Sequence, residues 1–153
     1  MAARPVLTVP DPILRQVCTP VEAFDQGLAE LTDDMLASMY DAKGRGLAAP
    51  QIGVTQRVFV MDSSWKEGEP APMVFVNPEI LARSEETTTY EEGCLSIPGQ
   101  TTHVRRPSRV TVAWKNVMGE SEKRVFDGFA ATCIQHEIDH LNGILCTDYE
   151  GTV

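Results

Sequence analysis

The residues best suited to chemistry lie near the C-terminus, in His136-Glu137-Ile138-Asp139-His140, an H-E-x-x-H string. On an α-helix, residues four apart stand one above the other, so two imidazoles at that spacing can grip one metal ion. The glutamate between them can reach a water held by the ion and act as general base. The bland alternative is a solvated helix face carrying two incidental histidines, and helical geometry weighs against it. At about 100° per residue, with Phe129 taken as zero, Cys133 falls at roughly 40°, His136 at roughly 340° and His140 at roughly 20°. One line down the helix therefore reads Phe, Cys, His, His. Ala130, Ile134, Ile138 and Leu141 form a second, apolar sector at roughly 100° to 180°. Histidines aligned with a phenylalanine and a cysteine point toward a lined pocket rather than toward water.

Two histidines leave a catalytic metal short of a ligand, since such sites usually take three protein ligands and keep one position open. Two cysteines compete for the third place. Cys146 completes His-Glu-x-x-His-x-x-Gly-x-x-Cys, the metzincin protease string with cysteine in place of its last histidine. That string also requires a methionine-bearing turn, and none of the seven residues after Cys146 is methionine. Cys94 lies in Glu92-Gly93-Cys94-Leu95-Ser96-Ile97-Pro98, beside a glycine that lets the backbone approach closely. Its plain alternative is a small hydrophobe in a strand. On spacing alone both cysteines stay open.

The elements that must position these residues follow from periodicity. The opening segment is extended and punctuated by Pro5, Pro10, Pro12 and Pro20. Leu28, Leu31, Met35 and Met39 then recur at helical spacing, with Asp25 as N-cap and Gly44 as stop. A Gly/Ala-rich stretch runs from Gly44 to Gly53, followed by strand-like runs at 57–61, 73–76, 87–90, 110–114 and 123–126. No helical pattern separates successive runs, which predicts antiparallel connections and an α+β fold packed around the C-terminal helix that carries H-E-x-x-H. That helix is expected from near Asp127 to near Gly143.

Composition narrows the function classes. The 153 residues suit one domain spanning 1–153, with 42% hydrophobic and 23% charged residues, as in an ordinary folded protein. Thirteen Lys and Arg against 22 Asp and Glu leave a net charge of -9, the wrong sign for a nucleic-acid groove. No apolar run is long enough for a bilayer, and the Met-Ala-Ala-Arg-Pro start lacks a secretory stretch. Cys18, Cys94, Cys133 and Cys146 show no framework spacing, so reduced thiols in a cytoplasmic compartment are expected.

Three segments together carry a resemblance. Glu-Gly-Cys-Leu-Ser-Ile-Pro at 92–98, Gln-His-Glu-x-Asp-His at 135–140 and Gly-x-Gly-Leu-Ala-Ala-Pro-Gln at 44–51 are similar to the signature segments of peptide deformylases, in that family's order. The likeness runs from Val9-Pro10-Asp11-Pro12 to Asp148-Tyr149. It implies a hydrolase that removes the N-formyl group from the initiator methionine of nascent chains and releases formate. By that resemblance Cys94, His136 and His140 hold the metal, and Glu137 is general base and later proton donor. The Gln51 side-chain amide and the Leu95 backbone N–H stabilise the developing oxyanion. Gly46 and Gly93 meet the substrate, Gly46 by its main chain, and Phe129 and Cys133 build the methionine pocket. The family favours Fe(II), while a thiolate with two imidazoles also suits Zn(II), Ni(II) or Co(II).

Two positions depart from the family pattern. Arg45 borders the methionine pocket where an aliphatic residue is common; either its stem replaces that wall or its charge favours an acidic group along the substrate. Thr101 stands where some members place a substrate-contacting arginine. The chain also ends soon after the helix, so docking on the ribosome through a C-terminal helical extension is not expected. A monomer in the cytoplasm of a bacterium, or of the host for a viral source, is the expectation, with an organelle left open. Two competing readings remain: a general metallopeptidase using His136, His140 and Cys146, and a binding module that keeps the fold without activity. An intact ligand set and base argue against the latter.

Overall fold

Side-chain alternation along one short strand divides the core of this protein. The computed structural model describes residues 2–151. Its strands are β1 (Gly46–Ala48), β2 (Val58–Met61), β3 (Met73–Arg83), β4 (Thr87–Cys94), β5 (Ile97–Pro107), β6 (Arg109–Lys115) and β7 (Ser121–Asp127). The helices are α1 (Gln26–Asp41) and α2 (Gly128–Leu141). One sheet runs β1-β2-β3-β6-β7, and β4 and β5 form a separate hairpin. All of these strand pairings are antiparallel, as expected. Successive residues of a strand face opposite ways. In β2, Val58 and Val60 therefore join Leu28, Leu31, Met35 and Met39 of α1. Phe59 and Met61 turn the other way, to Ala131, Ile134, Ile138 and Leu141 of α2. The sheet thus lies between the two helices, and no helix among the described residues is long and apolar enough to cross a membrane.

Both helices have ends the sequence explains. The Asp25 carboxylate accepts from the Leu28 N–H at 3.1 Å, capping the free donors of the first turn of α1. At the other end Gly44 N–H reaches Met39 O at 2.9 Å and Lys43 N–H reaches Tyr40 O at 3.0 Å, a Schellman closure. The left-handed residue is Lys43, at φ 59°, one place before the glycine expected to stop the helix. Helix α2 closes in the same way with Gly143 at φ 74°. A Cβ there would lie 2.5 Å from the Arg15 carbonyl oxygen, so only glycine fits.

Two strands escaped the sequence reading. β1 lies inside the Gly/Ala-rich stretch, too short to show a period. β5 was not expected at all, yet it pairs with β4 over almost its whole length. Its buried alternation is Thr102, Val104 and Arg106, in which a charged residue occupies a core position and hides the pattern. Strands β3 and β4 also run further than expected, to Arg83 and Cys94. The N-terminal segment is extended as anticipated except for a 3₁₀ turn at Pro12–Arg15. Leu7 N–H donates to Gln51 O at 2.7 Å and Val9 N–H to Ser96 O at 2.9 Å, so one strap ties two of the motif segments together.

Candidate metal centre

The end of β4 and one face of α2 bring Cys94, His136 and His140 together, with one ligand atom from each lying within 4.8 Å of the others. Cys94 Sγ and His140 Nε2 are 3.3 Å apart. Of the two cysteines the sequence left open, Cys94 is therefore the one at the histidines. Cys146 is not one of the clustered ligands; it is buried next to them, among Leu14, Ile97, Val104 and Leu145, a cluster against which Cys94 packs. Nδ1 of His136 lies 2.9 Å from Glu92 Oε1, which leaves Nε2 for the metal. Burial holds His140 well below its ordinary pKa, so its ring is neutral and offers a lone pair. Burial also opposes charge on His136, but Cys94, Glu137 and Glu92 around it outweigh that and favour a positive species. Buried Glu137 Oε1 and His140 Nδ1 lack hydrogen-bond partners among the described residues. A soft thiolate, two imidazoles and surrounding negative charge fit a divalent cation.

Behind the ligands lies a buried network that the sequence reading missed. Arg106 of β5 donates to Glu92 through Nε at 2.7 Å and through its second terminal nitrogen at 2.9 Å. Its remaining nitrogen donates to Asp139 Oδ2 at 2.9 Å, which also accepts the Tyr149 hydroxyl at 2.7 Å. The guanidinium lies 4.9 Å from the Tyr149 ring centroid. Each buried charge is thus paired and hydrogen-bonded, the condition under which burial is tolerated. One signal was available: Glu92 and Cys94 are two apart in a strand and so share a face. Arg106 had none, because its strand was not recognised.

The remaining predicted residues surround a pocket of about 360 Å³ that includes Arg45, Gly46, Gln51, Gly93, Cys94, Leu95, Phe129, Cys133, His136 and Glu137 in its lining. Lys43, Gly44, Lys66, Glu91 and Thr132 line it as well, and of these only Gly44 lies in a motif segment. Burial lifts the Glu137 carboxyl to about 7, against the opposing pull of His136. Gly46 sits tightly against it: a Cβ at this position would be 2.5 Å from Glu137 Oε2 and 2.9 Å from Cys133 Sγ. Gln51 lies in the 3₁₀ turn Ala49–Ile52. Its Oε1 accepts from Ala48 N–H at 2.9 Å, while Nε2 donates to Ser96 Oγ at 3.0 Å and faces Cys94 Sγ at 3.7 Å. The amide is locked with its donor end toward the thiolate. Leu95 packs on Gly44, where a Cβ would come within 2.7 Å of its Cδ1. Gly93 is not forced by the protein itself, since a Cβ there would meet nothing nearer than Thr101 Cγ2 at 3.8 Å.

Arg45 is already occupied. Its guanidinium donates to Ser63 O at 3.0 Å and grips the Glu67 carboxylate with two nitrogens. It also lies 5.3 Å from the Phe129 ring centroid. Thr101 stands opposite Gly93 in the β4–β5 register and is exposed.

A cysteine and two histidines at metal-binding distance, with a buried carboxylate beside them, define a metallohydrolase site on an α+β frame. Comparison with known proteins agrees. The sequence profile of the family described as "Polypeptide deformylase" matches residues 3–151. A peptide deformylase of Rhizobium meliloti is 50% identical over 149 residues, covering 97% of this chain and 86% of its own. One of Phenylobacterium zucineum is 52% identical, with 97% and 88% covered. Among solved structures, peptide deformylase from Thermotoga maritima superposes with a TM-score of 0.90 at 41% identity, covering 97% of each chain. A Met-Ala-Ser-bound class I type b peptide deformylase from Acinetobacter baumannii gives 0.90 at 37% identity, with 96% and 98% covered. The chain belongs to the polypeptide deformylase family, and is a metal-binding hydrolase with peptide deformylase activity.

Proposed function

We propose that the chain, acting as one domain and as a monomer, removes the formyl group from methionine at the start of nascent polypeptides in the cytoplasm. The observation that carries this reading is the cluster of Cys94, His136 and His140, of which Cys94 and His136 line one pocket with Glu137 and Gln51. In that reading Cys94, His136 and His140 hold Fe(II), the ligand set also accepting Zn(II), Ni(II) or Co(II). The ion, when bound, supplies a Lewis acid and lowers the pKa of water toward neutrality.

Glu137 takes a proton from the attacking water and delivers it to the departing amine nitrogen as the formamide C–N bond breaks, so formate and a free N-terminus result. A carboxyl near 7 suits both halves of that transfer at neutral pH. As the formyl carbon becomes tetrahedral its oxygen gains charge, to which Gln51 Nε2 and the Leu95 backbone N–H donate. Gln51 is already fixed by Ala48 and Ser96, so little reorganisation is needed at the moment of reaction. Gly46, on a strand edge, offers its main chain to the peptide backbone, and Gly93 leaves space where a side chain would project. Phe129 and Cys133 receive the methionine side chain, with the Arg45 stem as a wall. The relative that binds Met-Ala-Ser supports a methionine-first peptide in this pocket.

Anaerobic purification with metal analysis, followed by formate-release kinetics on formyl-Met-Ala, tests this reading. Formate release that disappears on chelation and returns with one equivalent of Fe(II) supports it. Cleavage of unformylated peptides without formate release would replace it with a general metallopeptidase.

A further inference from the structure

Three cations, Lys43, Arg45 and Lys66, line the pocket, more positive charge than deformylation itself uses. Arg45 is neutralised by Glu67. Two of the three lining carboxylates, Glu92 and Glu137, are buried. Glu92 is held by Arg106 and His136, and Glu91 stands 3.6 Å from His103 across the hairpin. Lys43 and Lys66 are left, and among the described residues neither has a carboxylate within ion-pair distance.

Both lysines are held in place by the fold. Lys43 occupies the left-handed position that ends α1, where glycine would be cheaper. Lys66 is carried by the segment joining β2 to β3, which is pinned at several points. Buried Asp62 accepts from the Tyr40 hydroxyl at 2.6 Å and from Ala71 N–H at 2.9 Å. The Trp65 indole donates to Gly44 O at 2.9 Å, and its ring meets Tyr40 edge-on at 5.3 Å. The Lys66 ammonium then lies 5.7 Å from the Trp65 ring centroid. Trp65 thus ties the two lysine-bearing segments to each other beside the pocket.

We propose that Lys43 and Lys66 form a cationic rim that selects formyl peptides carrying a carboxylate side chain at the first or second residue after methionine. The inference rests on the deformylase reading of the same pocket. A formylated N-terminus has no ammonium, so such a substrate arrives as an anion. The protein as a whole carries -9 and repels it, and the rim is the local surface that attracts it. Thr101, which lines no part of this pocket, offers no cation from the opposite side.

The experiment compares kcat/KM for formate release from C-terminally amidated formyl-Met-Asp-Ala and formyl-Met-Asn-Ala, and from formyl-Met-Ala-Asp and formyl-Met-Ala-Asn. Metal-loaded wild type is set beside Lys43→Met, Lys66→Met, the double variant and Lys115→Met, each at low and high salt. In at least one pair the wild type favours Asp by about two- to fivefold at low salt, as exposed ion pairs allow. That ratio falls to about one in the double variant and at high salt, and is retained in Lys115→Met, which changes net charge equally at a distant site. A ratio near one in the wild type, or one unaltered by the double variant, or one lost equally in Lys115→Met, overturns the rim while leaving the deformylase reading intact. Absence of formate release from every peptide overturns that reading itself, and the rim with it.

Discussion

At the scale of single residues, the proposed roles separate groups that would hold a metal from groups that would move protons. Glu137 is buried, one of its oxygens has no hydrogen-bond partner among the described residues, and burial pushes its carboxyl up to about 7. Glu137→Gln is expected to bind metal as well as the wild type and to lose formate release by about two to four orders of magnitude, the range of general acid–base catalysis. Metal analysis and kcat on one preparation check both halves. The two cysteines make a sharper contrast. Cys94→Ser should lose or strongly weaken metal binding, because its sulfur lies among the two imidazoles. Cys146→Ser should keep both metal and activity, since that thiol sits in an apolar cluster and is not one of the clustered ligand atoms. Metal loss confined to Cys146→Ser would return the third ligand to the metzincin-like string.

At the scale of elements, two strands and a helix are locked together by charge. Buried Glu92 of β4 and Arg106 of β5 join half-buried Asp139 of α2 in one chain, and Glu92 fixes the ring of His136. Glu92→Gln leaves an acceptor for His136 but removes one of the two counter-charges of Arg106, the other being Asp139. Breaking a buried pair from one side costs about 3–5 kcal/mol, and losing support behind a metal-binding histidine costs about 10- to 100-fold in metal affinity. Denaturant unfolding and a metal-competition titration should show both losses. Stability that fell while metal affinity stayed constant would make the network a brace for the hairpin and nothing more.

At the scale of the whole molecule, an N-terminal and a C-terminal segment of the described residues are stitched to each other. Arg15, in the 3₁₀ turn Pro12–Arg15, grips Asp148 at 2.7 and 2.9 Å and also donates to Gly143 O at 3.2 Å. The Arg15 guanidinium holds the Asp148 carboxyl below the ordinary carboxylate range. A depressed folded-state value means the stabilisation is complete above the unfolded carboxylate value of about 3.9 and is lost as pH falls through the lower, folded one. Both partners are partly exposed, so Asp148→Asn should cost at most about 1 kcal/mol at pH 7. The difference from wild type should vanish in strong acid. Urea unfolding across pH 2–7 reads this directly, and a gap that widened toward low pH would contradict the assignment.

Much of this was legible in the chain itself. H-E-x-x-H at helical spacing placed both histidines on one line with Cys133 and Phe129, because the α-helical period depends only on local backbone geometry. Asp25 and Gly143 marked helix ends for equally local reasons, a side-chain cap and a left-handed turn. The choice between Cys94 and Cys146 could not be made from spacing, since it depends on how the β4–β5 hairpin folds back on α2. Arg106 stayed hidden because its burial is permitted only by Glu92 and Asp139, which lie 14 and 33 residues away in the chain. Arg45 shows the same limit: its charge is spent on Glu67, a partner 22 residues distant that only the folded β2–β3 connection brings near. Local periodicity and turn chemistry thus wrote the elements and the metal-binding pair into the sequence. Which charges are paired, and which remain free at the pocket, was decided by tertiary structure, because pairing is a property of distance in space.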